Sequence, residues 1–279
     1  MTSEPQPTPE DIKQQISSLF NIVADGYDNP STQFFQFCAD KMLEILQPTQ
    51  NTRLLDIATG TGAVAISAAQ MISPEGRVHG IDLSTKMLDV AFKNAQKMAL
   101  SNIELHEMDA EKPIFDADYF HYITCSFALF FLPDMTAALK NWLRILRPDG
   151  QLIFSTFGPS AFTPQTELFR EQLKKYNIEI PDTHWFRLSD TKECKQILND
   201  AGYADISVHT KQLGYHLLNA EDWWQLLWNT GYRGFLNQLS ASDLVKFKKN
   251  HLAEVQELAA EDGIWLNVEA IFSKAFKPS

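Results

Sequence analysis

A chain of 279 residues with 44% apolar side chains can form one α/β domain with additions and a sizeable core. Its 35 acidic residues against 24 basic ones leave a net charge of −11 without a Lys/Arg cluster, so no nucleic-acid partner is expected. The longest apolar run, Ile123 to Leu132, is too short to span a bilayer.

The first nine residues read as a disordered tail, polar and without a signal-peptide pattern. Cys38, Cys125 and Cys194 are scattered, with neither metal-ligand spacing nor an even framework, and predict a reducing, cytoplasmic setting. A helix begins near Pro9 and carries Ile12, Ile16 and Leu19-Phe20. A second runs through Phe34, Phe35, Met42, Leu43 and Ile45-Leu46.

Leu54 to Ile57 is a short apolar strand. It enters a turn, Ala58-Thr59-Gly60-Thr61-Gly62, and then an Ala-rich helix that extends to about Ile72. Gly60 and Gly62 lack a Cβ, so the chain can bend sharply there and present N–H groups at a helix N-terminus. After a turn at Ser73-Pro74-Glu75-Gly76, the strand Val78 to Ile81 ends at Asp82. That carboxylate lies 20 residues beyond Gly62, the offset at which it meets a ribose hydroxyl in nucleotide-binding βαβ units.

Ser84 caps the next helix, whose stripe is Leu88, Ala91, Phe92 and Ala95. In the third strand Ile103 and Leu105 alternate with Glu104 and His106, and Asp109-Ala110 follows. Tyr119 to Phe127 is nearly continuous in hydrophobicity, as expected of a parallel strand covered on both faces. Asp134 caps a helix with Leu139, Trp142, Leu143 and Leu146, and Arg147-Pro148-Asp149-Gly150 turns into a fifth strand, Gln151 to Thr156. This alternation predicts a doubly wound parallel sheet with its ligand at the carboxyl ends of the strands.

Beyond Gly158 the pattern changes. A helix from Thr166 to Tyr176 precedes an aromatic, basic cluster, His184-Trp185-Phe186-Arg187. Ser189 is expected to cap a helix ending at Gly202, with a strand from Ile206 after it. Trp223, Trp224, Trp228, Tyr232 and Phe235 put several aromatics on one helical side, either as packing or as a wall for a flat or isoprenoid-like substrate. A helix from about Ser242 to Ala260 and a closing strand, Ile264 to Ala275, complete the chain.

The strand–turn–helix set with Asp56, Gly60, Gly62, Asp82 and Asp109 resembles the class I S-adenosylmethionine (SAM)-dependent methyltransferases. The branch it resembles includes the ubiquinone/menaquinone C-methyltransferases, and the resemblance is clearest over about residues 20 to 157. It implies a Rossmann-like, mainly parallel seven-stranded sheet with an antiparallel C-terminal strand, N-terminal helices and a helical cap. The implied divisions are a tail and lid at 1–50, a SAM-binding core at 51–214, a substrate cap at 215–262 and a closing core strand at 263–279.

The resemblance also implies roles. Asp56, Ala58, Thr59, Gly60 and Gly62 lie against the methionine part of SAM. Asp82 binds the ribose hydroxyls, with Leu83 and Met87 beside it, and Asp109-Ala110 lies near the adenine amino group. Ser126 and Phe127 line the methionine side, and Tyr27, in Ala24-x-x-Tyr27-Asp28, folds over the methionyl end. Two departures are Ala58 and Asp149, each where the family often has Gly.

The expected activity is methyl transfer from SAM to a small, aromatic or apolar molecule by in-line displacement, leaving S-adenosylhomocysteine (SAH). The protein's part would be alignment and exclusion of water. His184 and His216 are the nominated candidates for a base; neither a zinc spacing nor a nucleophile triad is present, so no metal is expected. Gly60-x-Gly62-x-x-Ala65 also fits a dinucleotide fingerprint, which keeps an NAD(P)-dependent oxidoreductase open. Its short-chain form is excluded, because none of the seven tyrosines has Lys four residues later. A non-catalytic SAM-binding protein is a further alternative. The acceptor, the methylated atom and the oligomeric state stay open.

Overall fold

The computed structural model describes residues 8–180 and 187–279; the predicted tail up to residue 7 and His184, Trp185 and Phe186 lie outside them. Helix α1 (Pro9–Val23) opens with a reciprocal cap between Thr8 and Asp11, and α2 (Phe34–Leu46) follows two short 3-10 turns. The core then alternates: β1 (Arg53–Ile57), α3 (Ala63–Ile72), β2 (Arg77–Asp82), α4 (Thr85–Lys97), β3 (Ile103–Glu107), β4 (Phe120–Ser126), α5 (Met135–Ile145) and β5 (Leu146–Phe157). Ser84 and Asp134 cap α4 and α5 as expected, accepting from the Met87 and Ala137 amides.

Next come α6 (Gln165–Lys174), α7 (Thr191–Ala201), β6 (Ala204–Gln212), β7 (Tyr215–Leu217), α8 (Ala220–Trp228), α9 (Arg233–Leu236) and α10 (Ala241–Gln256). The chain closes with β8 (Ile264–Leu266) and β9 (Glu269–Phe276). The seven-stranded sheet has the order β3-β2-β1-β4-β5-β9-β6. Its first five strands pair in parallel, and β9 enters antiparallel between β5 and β6. The order reverses beside β1, so the carboxyl ends of β1, β2 and β4 open a crevice there. Side chains of α2 and α3 pack one face, those of α5 and α7 the other. No helix of the described residues is long and apolar enough to cross a membrane.

Three expectations need correction. Asp190, not Ser189, caps α7, accepting from the Lys192 amide. The turn at 147–150 is a bulge inside β5: pairing jumps from Phe120–Leu146 to Tyr122–Gln151, and Asp149 takes a left-handed φ of 60°. That conformation explains a preference for Gly at this position. The single closing strand is two, because β8 pairs with β7 in a separate ribbon and only β9 joins the main sheet. At the bend between them the Asn267 side chain donates to the Ser160 carbonyl.

Candidate cofactor and substrate site

The turn after β1 stands on left-handed backbone, which strains only Ala58. Ala58, Gly60 and Gly62 have φ of 52°, 55° and 91°, and the Gly62 amide donates to the Thr59 carbonyl at 2.9 Å. A side chain on Gly60 would project into open space, whereas one on Gly62 would press on Ile66 and Ala91. Gly62 therefore lets α3 approach α4, and Gly60 leaves the crevice open beside the backbone.

Asp56 acts from beneath this turn. It is 1% exposed and accepts from the Thr59 and Thr124 hydroxyls, each at 2.7 Å. Burial pushes its carboxyl up to about 6, against hydrogen bonds from those hydroxyls and the Ala65 amide. Asp56, Thr59 and Gly62 are not among the residues lining the crevice; they hold its floor in shape.

Asp82 does line it. One carboxylate oxygen accepts from the Gly60 amide at 2.9 Å and the other from the Ser84 amide at 2.8 Å, which fixes the group at the end of β2. Burial raises its pKa, opposed by the Ser84, Gly60 and Leu83 amides. Asp109 lies across the same cavity of about 760 Å³, together with Tyr27, Ala58, Gly60, Leu83, Met87, Ala110, Ser126 and Phe127. The structure thus brings ten of the thirteen expected cofactor residues into the lining of one cavity.

A residue outside the expected set, Lys13, closes that cavity from α1. Its ammonium stands 2.7 Å from Asp109 and 2.5 Å from Glu111. Burial works to discharge it, but the hydrogen bonds and charges of both carboxylates outweigh burial and raise its pKa. Nearby, Ser17 donates to the Leu83 carbonyl, and the Asn21 side-chain oxygen accepts from the Ser84 hydroxyl and the Lys86 amide. Helix α1 is therefore tied to the ends of both β2 and β3. The linear signal was faint: a lysine beside Ile12 and Ile16 in an amphipathic helix reads as a solvated position.

A second cavity, of about 630 Å³, adjoins the first and shares Phe20, Tyr27, Phe127 and Phe131 with it. Its wall is aromatic, including Phe34, Phe157, Phe162 and Tyr232, with Leu226, Thr230 and Gly231 from the helical layer. Phe127 stacks on Phe157 at 4.1 Å and has a φ of 47°, its amide satisfied by the Ser155 carbonyl and hydroxyl. The Tyr27 ring stacks on Phe35 at 4.7 Å, and burial, with Asp82 and Asp28, pushes its phenol far above the usual range. No Asp, Glu, His, Lys or Arg among the described residues lines this second cavity.

The aromatic stripe of the C-terminal half divides accordingly. Trp223 is fully buried and donates to His251 at 2.8 Å, Trp224 is buried, and Trp228 lies under the Arg233 guanidinium. These three pack, while Tyr232 alone of the five lines the cavity. His216 lines neither cavity: alternation along β7 turns Leu217 inward and His216 outward, against Trp265. His184 lies outside the described residues.

Comparison with known proteins agrees with this architecture. The family model described as the ubiE/COQ5 methyltransferase family matches residues 10–218. Aklanonic acid methyltransferase DauC of Streptomyces sp. (strain C5) is 31% identical over 216 residues, covering 72% of this chain and 97% of its own. Demethylmenaquinone methyltransferase of Bacillus subtilis (strain 168) is 29% identical over 217 residues, covering 71% and 92%. The crystal structure of the YcgJ protein from Bacillus subtilis superposes with a TM-score of 0.59 at 20% identity, over 87% of this chain and 99% of that one. The chain belongs to the ubiE/COQ5 methyltransferase family and is an S-adenosylmethionine-dependent methyltransferase.

Proposed function

We propose that the carboxylate-bearing cavity holds SAM and that the adjoining aromatic cavity holds a small, flat, apolar methyl acceptor. On this reading Asp82 takes the ribose hydroxyls, Asp109 and Ala110 lie by the adenine, and Ala58, Gly60, Ser126 and Phe127 face the methionine part. The segment 215–262 acts as the substrate cap over the core. The buried, unpaired Cys38, Cys125 and Cys194 suit a reducing, cytoplasmic setting.

The observation that carries the reading is the junction of the two cavities at Tyr27 and Phe127. One side offers fixed carboxylates, the other aromatic faces, so a polar nucleoside and an apolar acceptor can meet end to end. Bound there, SAM supplies an electrophilic methyl group on a positively charged sulfur. The chain's own residues exclude water, present aromatic faces towards positive charge and hold the acceptor in line. With no carboxylate or imidazole among the described residues that line the aromatic cavity, the wall suits an acceptor whose nucleophile is already acidic or electron-rich. Tyr27 lines both cavities, and burial keeps its phenol protonated. The named relatives, an aklanonic acid and a demethylmenaquinone methyltransferase, accord with a small-molecule acceptor.

Calorimetry with SAH and with NADH, followed by labelled methyl transfer from SAM to a panel of acceptors, tests this. Binding of SAH and labelling of flat apolar acceptors are expected. Preference for NADH, or label passing only to polar amines, would overturn it.

A further inference from the structure

On the outer edge of the sheet, on strands that end at the cofactor cavity, three donor atoms converge. His79 stands opposite Glu104 in the parallel pairing of β2 with β3, and His106, two residues on, shares the face of Glu104. His79 Nδ1 is 3.4 Å from His106 Nε2. The Glu104 Oε2 atom is 3.7 Å from the first and 3.9 Å from the second. All three separations exceed the usual 2.7–3.2 Å of an N–H···O hydrogen bond. Two donors on one tetrahedral zinc, each bonded at about 2.0–2.1 Å, stand about 3.3–3.4 Å apart. The two imidazole nitrogens already have that spacing. Glu104 is exposed enough to rotate the remaining distance.

We propose that His79, Glu104 and His106 form a three-donor site for a divalent transition ion, with zinc(II) as the occupant that fits this donor set. The inner ligand is preset: the His79 ring is held edge-on by Phe115 and Phe120, each at 5.5 Å, and by Tyr119 at 6.0 Å. His106 stacks nearly parallel to His79, at 15°, and also meets Phe115. The outer side opens to solvent, which supplies the fourth position. Charged side chains alone would serve to protect an edge strand from pairing; two imidazoles converging on one carboxylate are not needed for that. Linear spacing predicts no such site because His79 is far from the other two in sequence, and strand pairing alone unites them. An ion here clasps the edge strand to β2. His79 and His106 each precede by three residues a carboxylate of the cofactor cavity, Asp82 and Asp109.

The test is titration of chelator-treated, full-length protein with zinc chloride by calorimetry, with cobalt(II) absorption reporting ligand geometry. The variants are Glu104→Gln and His106→Gln, both on the exposed side of the strand. The wild type is expected to take up one equivalent with imidazole-ligated cobalt absorption, and to melt a few degrees higher with zinc. Each variant should keep its circular dichroism, bind at least roughly 100-fold more weakly and lose the melting shift. Absence of micromolar binding by the wild type, or full affinity in both variants, would overturn the proposal. SAH affinity measured alongside keeps the result separate from the cofactor reading.

Discussion

The Lys13 ammonium meets the Asp109 carboxylate at 2.7 Å across 96 positions of sequence, joining the first helix to the loop after the third strand. A lid latched by a partly buried ion pair opens more readily when one partner is neutral. Lys13→Met keeps the apolar stem and removes the charge. It should cost about 1–2 kcal/mol of stability, between the values for exposed and buried pairs, and SAH should dissociate several-fold faster. Stopped-flow dissociation and urea unfolding read both; unchanged dissociation would mean that α1 is no latch.

Asp82 is held at both oxygens by backbone amides, so its position does not depend on a ligand. Asp82→Ala should weaken SAH binding by about 1.5–3 kcal/mol, the scale of lost charge-assisted hydrogen bonds. Calorimetry on variant and wild type is the check, and equal affinities would remove Asp82 from the ribose role.

Ala58 holds a left-handed φ of 52° that glycine adopts without penalty. The strain on an L-residue is about 1–2 kcal/mol, and glycine's extra unfolded freedom returns up to roughly 1 kcal/mol of it. Ala58→Gly should therefore raise stability by as much as about 1 kcal/mol. A lower urea midpoint for the variant would show that the Ala58 methyl packs usefully in the cavity wall.

Two buried groups give opposing pH dependence. The Asp56 carboxyl, pushed up to about 6 from 3.8, makes the native state bind more protons than the unfolded chain between those values, so its contribution falls as pH rises from 4 to 6. Burial lowers His251 to about 4 from 6.5, so the unfolded chain binds more protons and stability rises with pH across nearly the same window. The wild type should show a shallow net slope there. Asp56→Asn should steepen the rise with pH, and His251→Gln should expose a fall, each changing the difference from wild type by about 2–3 kcal/mol across the window. Unfolding free energies measured at several pH values decide this; parallel curves for all three proteins would refute it.

The strand–helix alternation, the two caps at Ser84 and Asp134, and the glycine turn with Asp82 were legible because each rests on local chemistry: side-chain period, capping oxygens and dihedral freedom. Asp82 and Asp109 were legible as cavity residues for the same reason, since a parallel strand delivers its end and the loop just past it to the shared carboxyl edge. Asp56, expected against the methionine part, lies beneath the cavity lining, and nothing local announces that Thr59 and Thr124 occupy its oxygens. The sequence alone therefore determined the elements, their alternation and the edge at which a ligand lies. Only the tertiary structure decided that Lys13 meets Asp109 and Glu111, that phenylalanines from distant segments form one wall, and that His79 meets Glu104 and His106. These are encounters between residues far apart in the chain, and they exist only once packing has fixed which helix covers which strand and in what register.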